Sequence, residues 1–535
     1  MIRNPVLPGF NPDPSICRVG EDYYIATSTF EWYPGVQIHH SRDLVNWTLV
    51  RRPLERASQL DMRGDPDSCG IWAPCLSHAD GLFWLVYTDV KRFDGSFKDA
   101  NNFIVTSPTI EGPWSEPSYV NSSGFDPSLF HDDDGRKWFL NMQWNHRPEA
   151  FHSAGHAAFD GILLQEWDPA TKSLKGPITN IFPGTELGLV EAPHIFKRNG
   201  WYYLTTAEGG TGYDHAVTMA RSRSLAGPYE LHPNKYLMTA KDNPEAPLQR
   251  TGHGQYVETP DGQAYHTYLC GRPLPPHRRC TLGRETGIAK CVWKDDWLYL
   301  ANGTLLVDVE EEAPTGAVPA EKPWRSDYNF DGGVLPLDFQ WLRTPETERI
   351  FSVSERPGHL RLFGRQSIGS WFEQALVARR QEHLSFRAET VVEFSPDTYQ
   401  QVAGLTHYYN RYKFHAIGLS LHETLGRCLS VFSCLGDFPH GNLTFAEGAT
   451  VAVPDGRIQL SLEVRDNDLQ FFWQAEGMGA WQPLGPVLDA GLVSDEGGRG
   501  EHGSFTGAFV GMFAFDTSGR AKPADFDWFN YDRLA

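Results

Sequence analysis

Three short acidic motifs contain the side chains of this sequence that are best suited to catalysis. Each motif sets a carboxylate next to or near a proline, at the head of an apolar, aromatic-rich strand pattern. Taken singly, an Asp-Pro pair is typical of a turn or a capping carboxylate. Three such groups in separate repeats indicate one shared site, and paired carboxylates at one site are the groups that hydrolyse glycosidic bonds. The motifs are Asn11-Pro12-Asp13-Pro14-Ser15, Phe125-Asp126-Pro127-Ser128 and Glu191-Ala192-Pro193-His194.

A repeat in the first three hundred residues supplies the elements that must position these carboxylates. Each copy has a small or acidic residue near Pro or Gly, then a short apolar strand, a polar turn and a second, usually aromatic strand. Units of roughly 60 residues with about four strands each fit propeller blades. We therefore predict a five-bladed β-propeller whose innermost strands begin around one mouth of a central channel, an arrangement that a β-sandwich or β-helix would not give. The copies begin at Asp13, Trp72, Asp126, Glu191 and His253.

A second domain is predicted after an acidic segment rich in Pro and Gly. From residue 327 onward the chain alternates apolar and polar residues in strand-length runs with short turns, which indicates an antiparallel β-sandwich. The predicted organisation is a propeller over residues 1–310, a linker over 311–326 and a sandwich over 327–535. The fold class is therefore all-β. A sandwich in this position can bind polysaccharide, have a purely structural role or complete the active site.

The amino-acid composition limits the classes of partner that the protein is expected to bind. The chain has 47 Lys and Arg against 67 Asp and Glu, a net charge of −20, so nucleic acid and anionic membranes are poor partners. The first residues contain no apolar run, the 8 cysteines are scattered, and we expect a cytoplasmic protein with reduced thiols. No stretch approaches the roughly 18 apolar residues that span a bilayer. The histidines form no recognisable ligand set, so we predict neither a catalytic metal nor a cofactor.

The ordered set of motifs resembles glycoside hydrolase family 43, and within it the β-xylosidases that have a C-terminal β-sandwich. The resemblance covers essentially the whole chain. No single motif is specific, but their order and joint presence are. Beyond the three acidic motifs, the residues that carry the resemblance are Gly283-Arg284-Glu285-Thr286 and the segment from Phe505 to Gly511.

The resemblance implies an inverting site and assigns a role to each matched residue. Asp13 corresponds to the general base, Glu191 to the general acid, and Asp126 to the residue that orients the acid and tunes its pKa. Arg284 corresponds to a substrate-clamping arginine, and Phe505 to a sandwich residue that reaches into the pocket. The resemblance also implies a homo-oligomer, a dimer or a tetramer, because such relatives use the sandwich domain for assembly.

Other residues are candidates on their own chemistry. Phe30 and Trp72 can offer aromatic faces to a sugar or can pack in the core. His253 heads the fifth repeat and can bind a water or a metal, or merely pack. Arg284 can clamp hydroxyls with its planar donors, or pair with Glu285 or with a carboxylate of the site.

The resemblance, together with these candidate residues, implies an exo-acting, inverting glycoside hydrolase. Its substrate would be β-1,4-xylo-oligosaccharides, from whose non-reducing ends it would release D-xylose. An α-L-arabinofuranosidase, or an enzyme with both activities, is the alternative within the same class, because the two sugars present similar hydroxyl geometry. A non-catalytic carbohydrate-binding propeller is the more remote alternative, and the presence of all three carboxylates argues against it.

Overall fold

The computed structural model describes residues 1–147, 158–321, 323–498 and 504–535. Short turns join strands throughout these residues, and two 3₁₀ turns, Thr347–Arg349 and Ala490–Leu492, are the only helices in the described ranges. Neither has the length or the apolar character that a membrane crossing requires.

Five antiparallel sheets follow one another along the chain and form the five blades, so the predicted propeller is confirmed. Blades 1 to 3 consist of Ser15–Val19, Asp22–Thr27, Gln37–Ser41 and Thr48–Arg51; Gly70–Ala79, Leu82–Arg92, Asp99–Ser107 and Ser118–Asn121; and Ser128–His131, Lys137–Trp144, Phe159–Asp168 and Ser173–Phe182. Blades 4 and 5 consist of Glu191–Arg198, Trp201–Glu208, Ala216–Ser222 and Glu230–Thr239; and Gln249–Gly252, Tyr256–Glu258, Ala264–Gly271, Glu285–Lys294 and Trp297–Leu300.

Aromatic side chains pack neighbouring blades together. In blade 4 the ring of Phe196 stacks on Tyr203 at 5.1 Å and on Tyr256 of blade 5 at 4.4 Å. Trp293 of blade 5 meets Tyr203 edge-on at 5.0 Å. Offset and edge-on pairs of this kind add to the free energy gained from burying the rings. The aromatic strands of the sequence repeat thus provide contacts between neighbouring blades.

The N-terminus closes the propeller. Ile2–Arg3 pairs antiparallel with Glu310–Glu311, and the side-chain amide of Asn4 donates to the carbonyl oxygens of Ile288 and Asp308 at 2.9 and 3.0 Å. Glu311, the first residue of the predicted linker, therefore lies in this closing strand.

The sandwich consists of two eight-stranded antiparallel sheets. One sheet contains Phe351–Ser352, Leu360–Phe363, Pro523–Arg533, Ser385–Glu393, Ile458–Arg465, Asp468–Ala475 and Gln482–Asp489, with Arg325–Tyr328 paired to Pro523–Arg533. The other contains Leu443–Ala452, Gly426–Leu435, Lys413–His422, Gln401–Asn410, Phe509–Asp516, Ala375–Arg380, Phe339–Leu342 and Trp32–Tyr33.

The last of these strands belongs to the propeller part of the chain. Trp32–Tyr33 lies in the loop 28–36 of blade 1 and pairs with Trp341 and Leu342 at the edge of the second sandwich sheet. The indole of Trp32 stacks on Phe509 with ring centroids 3.7 Å apart and planes 13° apart. One sheet is thus shared by the two domains, and this shared strand fixes the sandwich against the end of the propeller that contains the acidic motifs.

Candidate active site

A repeated backbone kink positions the predicted site residues. At the start of each blade, one residue adopts a left-handed conformation, with φ between +28° and +57°. An L-residue pays an energetic penalty in this region, and such strain is concentrated where a fold must redirect a side chain. The register shifts by one residue beside the kink in blades 2, 4 and 5, as in a β-bulge. The five kinked residues are Asp13, Ala73, Asp126, Ala192 and His253.

The kinks show that the predicted equivalence of the three carboxylates needs a correction. Asp13 and Asp126 occupy the kinked position itself, as does His253. Glu191 precedes the kinked Ala192 and therefore corresponds to Trp72, which precedes the kinked Ala73. The acid of blade 4 is thus presented from a position one residue earlier, with a different direction and a longer side chain.

All eight predicted site residues line one cavity of about 350 Å³ at the end of the propeller that faces the sandwich. These eight residues come from all five blades and the sandwich: Asp13, Phe30, Trp72, Asp126, Glu191, His253, Arg284 and Phe505. Further residues that line the cavity were not predicted from the sequence: Phe93, Lys98, Phe125, Phe159, Leu189 and the glycine-rich loop 209–212.

Asp13 is buried and hydrogen-bonded through both carboxylate oxygens. Oδ1 accepts a hydrogen bond from Nη1 of Arg284 at 2.7 Å, and Oδ2 accepts one from the hydroxyl of Ser28 at 2.6 Å. Nδ1 of His253 lies 3.7 Å from Oδ1. These contacts hold the Asp13 carboxylate in one orientation at the wall of the cavity.

Arg284 connects the carboxylate site to the sandwich. Its Nη2 donates to the carbonyl oxygen of Phe505 at 2.9 Å, and its guanidinium lies 5.3 Å from the ring centroid of Phe30. Glu285 and a site carboxylate are the two ion-pair partners that the sequence suggests for Arg284. Glu285 pairs with Arg272 at 2.7 Å instead, and Arg284 pairs with the site carboxylate Asp13. Gly283, with φ +68°, allows the close approach of the two domains, because a Cβ there would lie 2.3 Å from the carbonyl oxygen of Thr506.

Glu191 is in an environment that favours its protonated form. Burial, and then the negative charge of Asp13, raise its pKa to about 8 against the opposing charges of Arg284 and Lys98. A carboxyl group with such a pKa holds its proton at neutral pH and can donate it. Asp13 and Glu191 therefore have opposite environments within one cavity.

Asp126 has a raised pKa of its own. Burial is the main cause, and the charges of Glu191 and Asp13 add to it. The negative charge that raises the pKa of Glu191 comes from Asp13. The tuning of Glu191 by an ionised Asp126, which the sequence analysis expected, stays a prediction.

Trp72 forms the aromatic wall of the cavity together with residues from both domains. Its indole lies 5.3 Å from Phe125, 5.8 Å from Phe30 and 6.1 Å from Phe505. The backbone of Ser68 supports this wall, because its carbonyl oxygen accepts a hydrogen bond from Nε1 of Trp72 at 2.9 Å. Aromatic faces in such a wall suit the apolar faces of a sugar ring.

Lys98 is the most unexpected residue of the cavity. Its ammonium group lies 4.3 Å from the ring centroid of Trp144 and 5.8 Å from those of Trp72 and Phe125. Burial lowers its pKa to about 8. Lys98 lies in the segment between two strands of blade 2, in a sequence that contains no repeat signal.

His253 lies in the channel as a neutral imidazole. Burial, and then the charge of Arg284, lower its pKa to about 3. Across the described residues, no group of three or more His, Cys, Asp or Glu side chains is arranged to hold a metal ion.

Comparison with known proteins identifies the family. The model for glycosyl hydrolases family 43 matches residues 2–298, and the model for the β-xylosidase C-terminal concanavalin A-like domain matches residues 327–532. This chain belongs to glycosyl hydrolase family 43. It is therefore a glycoside hydrolase, and its β-sandwich is the concanavalin A-like C-terminal domain.

Several relatives of this family 43 enzyme match it over almost its full length. It is 60% identical to xylosidase/arabinosidase 43B of Humicola insolens, over 99% of this chain and 97% of that protein. It is 48% identical to a β-xylosidase of Bacillus subtilis (strain 168), over 99% of both chains. The crystal structure of xylan β-1,4-xylosidase from Bacillus halodurans C-125 superposes with a TM-score of 0.95, at 48% identity and with 100% of both chains covered.

Proposed function

We propose that this family 43 enzyme is an exo-acting β-xylosidase that releases D-xylose from the non-reducing ends of β-1,4-xylo-oligosaccharides with inversion. The names of the relatives from Bacillus subtilis and Bacillus halodurans support the choice of sugar. The cytoplasmic location and the assembly into a dimer or tetramer stay predictions.

The observation that carries the proposal is the pairing of two carboxyl groups with opposite environments in one cavity. Asp13 accepts hydrogen bonds from Arg284 and Ser28, and the pKa of Glu191 is raised to about 8. Hydrolysis of a glycoside with inversion requires one ionised and one protonated carboxyl group at the same pH. The raised pKa of Glu191 suits the protonated group, and the hydrogen bonds and ion pair of Asp13 suit the base.

The reaction then follows from these two groups. Asp13 takes a proton from a water molecule, and the oxygen of that water forms a bond to the anomeric carbon. The bond from the anomeric carbon to the leaving oxygen breaks, and Glu191 donates its proton to that oxygen. Room for the water requires roughly 6.5–9.5 Å between the two carboxyl groups in inverting enzymes. Asp13 and Glu191 enter the cavity from blades 1 and 4, which are not neighbours in the ring of five blades, and this supports a separation of that kind.

The cavity walls support cleavage at the end of a chain. Phe505 of the sandwich and Trp72 of blade 2 meet at 6.1 Å and enclose one side of the site. An enclosed pocket accepts the terminal sugar of an oligosaccharide and excludes the interior of a long polymer. We assign Arg284 and the aromatic wall to binding of that terminal sugar, and Asp126 to orienting the acid.

An α-L-arabinofuranosidase activity of the same site is the second candidate. The relative with 60% identity carries both activities in its name. Comparison of kcat/KM for 4-nitrophenyl β-D-xylopyranoside and 4-nitrophenyl α-L-arabinofuranoside measures the balance. We expect the xyloside to be preferred, and a preference for the arabinoside would overturn the proposed specificity.

Proton NMR of the hydrolysis of an aryl β-D-xyloside tests activity and stereochemistry together. We expect the α-anomer of xylose to appear first and the β-anomer to grow in later by mutarotation. If the β-anomer appears first, the inverting mechanism is wrong. A wild type that releases no xylose is a further outcome. If it binds xylobiose as well as the Glu191→Gln variant does, the site binds the sugar without hydrolysing it and is not a xylosidase site.

A further inference from the structure

A second cavity lies between the propeller and the sandwich, away from the catalytic site. Its volume is about 340 Å³, and residues of both domains line it. In a chain of net charge −20, its wall is rich in positive charge. The charged lining residues other than histidine are Arg52, Arg379, Arg380, Arg533, Asp338 and Glu382.

Two of these arginines are bonded only to neutral groups. Arg52 donates to Oε1 of Gln37 at 2.6 and 3.0 Å and to the carbonyl oxygen of Phe339 at 3.3 Å. Arg380 donates from Nε to the carbonyl oxygen of Phe10 at 2.5 Å, and also to Gln340. In the ranges that the structure describes, neither guanidinium has a carboxylate within the 4.0 Å of an ion pair.

These two cations are deeply buried and close to each other. Arg52 is 4% exposed and Arg380 is 5% exposed. Burial lowers the pKa of Arg380 to about 9, and burial followed by the charge of Arg380 lowers the pKa of Arg52 well below its usual range. Carbonyl and amide oxygens satisfy the hydrogen bonds of a guanidinium but do not neutralise its charge. The charges of Glu382 and Asp338 offset part of the cost of burial from a distance, but two adjacent buried guanidinium groups without an ion-pair partner are costly.

Neither of the two carboxylates that line the cavity forms an ion pair with Arg52 or Arg380. Glu382 pairs with Arg379 at 2.9 Å, and Asp338 accepts a hydrogen bond from the hydroxyl of Tyr328 at 2.6 Å. At the entrance, the exposed guanidinium of Arg533 lies 4.7 Å from the ring centroid of Trp324, which is also exposed. A positively charged entrance therefore leads to a positively charged floor.

We propose that this cavity between the domains binds a small multivalent oxyanion, either phosphate or a di- or tricarboxylate, as the counter-ion of Arg52 and Arg380. Planar guanidinium groups bind both kinds of anion through paired N–H donors. The anion enters past Arg533 and holds the two domains together at their interface.

The site is connected to the segment that leads to the catalytic base. Arg380 holds the carbonyl oxygen of Phe10, and Gln37, the partner of Arg52, donates to Oδ1 of Asn11 at 2.7 Å. Asn11 itself lines the cavity, two positions before Asp13. The anion thus stabilises the backbone from which Asp13 enters the active site.

Equilibrium dialysis of the full chain, with inorganic phosphate and with citrate at constant ionic strength set by sodium chloride, tests the proposal. We expect about one anion per chain, with the two anions competing, and a higher Tm in the anion than in chloride alone, as any ligand of the native state gives. The anion that binds more tightly identifies which of the two sources is preferred. A wild-type protein that binds neither anion overturns the proposal.

Variants locate the site. Arg380→Gln and Arg52→Gln remove charge from the floor, and we expect about tenfold weaker binding, the effect of losing one charge-assisted hydrogen bond. Arg533→Glu at the exposed entrance avoids the risk of misfolding, and we expect a similar loss. Arg387→Gln, on the same sandwich domain but paired with Glu463, is the matched control and should bind as the wild type does. If the wild type, Arg533→Glu and every floor variant that folds bind the anion with equal affinity, the anion binds elsewhere and the proposal is overturned.

Discussion

The backbone N–H of Phe505 donates a hydrogen bond of 3.0 Å to the hydroxyl of Ser68. Ser68 follows the buried Asp67 in the loop before blade 2, and its own N–H donates to Glu31 at 3.1 Å. Its carbonyl oxygen accepts the indole N–H of Trp72. One residue of the propeller therefore positions the sandwich residue and the tryptophan that together enclose the sugar site.

Replacement of Ser68 by alanine should weaken substrate binding. The variant loses the acceptor for Phe505 but keeps the backbone carbonyl that holds Trp72. The loss of one hydrogen bond is worth about 1 kcal/mol, so we expect kcat/KM for xylobiose to fall about fivefold, mainly through a higher KM. Steady-state kinetics measure this. Ser77→Ala is the control, because Ser77 bonds to His131 of blade 3 at the opposite end of the strand that contains Trp72, and the change should leave both constants unchanged. A Ser68→Ala variant with unchanged KM would contradict the positioning role.

Replacement of Glu191 by glutamine should have an effect that depends on the leaving group. A general acid typically contributes about 10²- to 10⁴-fold, so kcat for xylobiose should fall by that factor. An aryl xyloside whose phenol has a low pKa needs little protonation, and its hydrolysis should be much less impaired. The comparison of xylobiose with 2,4-dinitrophenyl β-D-xyloside measures the difference. An equal loss on both substrates would remove Glu191 from the role of acid.

The alkaline limb of the pH profile should respond to Lys98. The pKa of Glu191 is about 8, and the positive charge of Lys98 lowers it. Because a nearby cation favours the ionised carboxylate, Lys98→Met should raise the pKa of Glu191 and move the alkaline limb of kcat/KM to higher pH. Lys175→Met, in the exposed hairpin of blade 3, is the control. A limb that stays in place or moves to lower pH would show that another group sets it.

The stability of the protein should fall between about pH 4.5 and pH 8 partly because of Glu191. Below the usual pKa of 4.5 the group is protonated in both the folded and the unfolded states. As the pH rises toward 8, the unfolded chain releases the proton while the folded chain retains it, so the free energy of unfolding decreases.

Glu191→Gln removes this proton-linked loss of stability. We expect the variant to lose less Tm than the wild type between pH 5 and pH 8, by about 1–3 °C in a chain of this size. Calorimetry at both pH values measures the difference. Parallel stability curves for the two proteins would mean that Glu191 ionises in the folded protein as it does in the unfolded chain.

Repetition explains how much of this architecture the sequence predicts. Five similar strand patterns indicate five blades, because each copy must bury its apolar strands against its neighbours. The acidic motifs come at the heads of these copies, so the topology alone brings Asp13, Asp126 and Glu191 to one mouth. The one-residue offset of Glu191 follows from the backbone kink at Ala192. An alignment of the repeats on their prolines predicts the same offset, because Ala192-Pro193 then corresponds to Asp13-Pro14.

Residues outside the repeat could not be predicted in the same way. Lys98 and Ser68 lie in connecting segments, where their positions depend on contacts with distant parts of the chain. Trp32 and Tyr33 read as a short aromatic run within a blade, but their strand partners lie in the sandwich. Phe125 is different, because it precedes a kinked residue as Trp72 and Glu191 do, and that shared register was a usable signal.

The shared strand Trp32–Tyr33 also determines the order in which the chain can complete its fold. Gln340, whose side chain donates to the carbonyl oxygen of Trp32, is 308 positions away in sequence. During synthesis the strand Trp32–Tyr33 must wait for its strand partners until nearly two thirds of the protein has emerged, and contacts over such separations form slowly. For the same reason, a sandwich domain exchanged between two relatives must bring its matching loop from blade 1 with it.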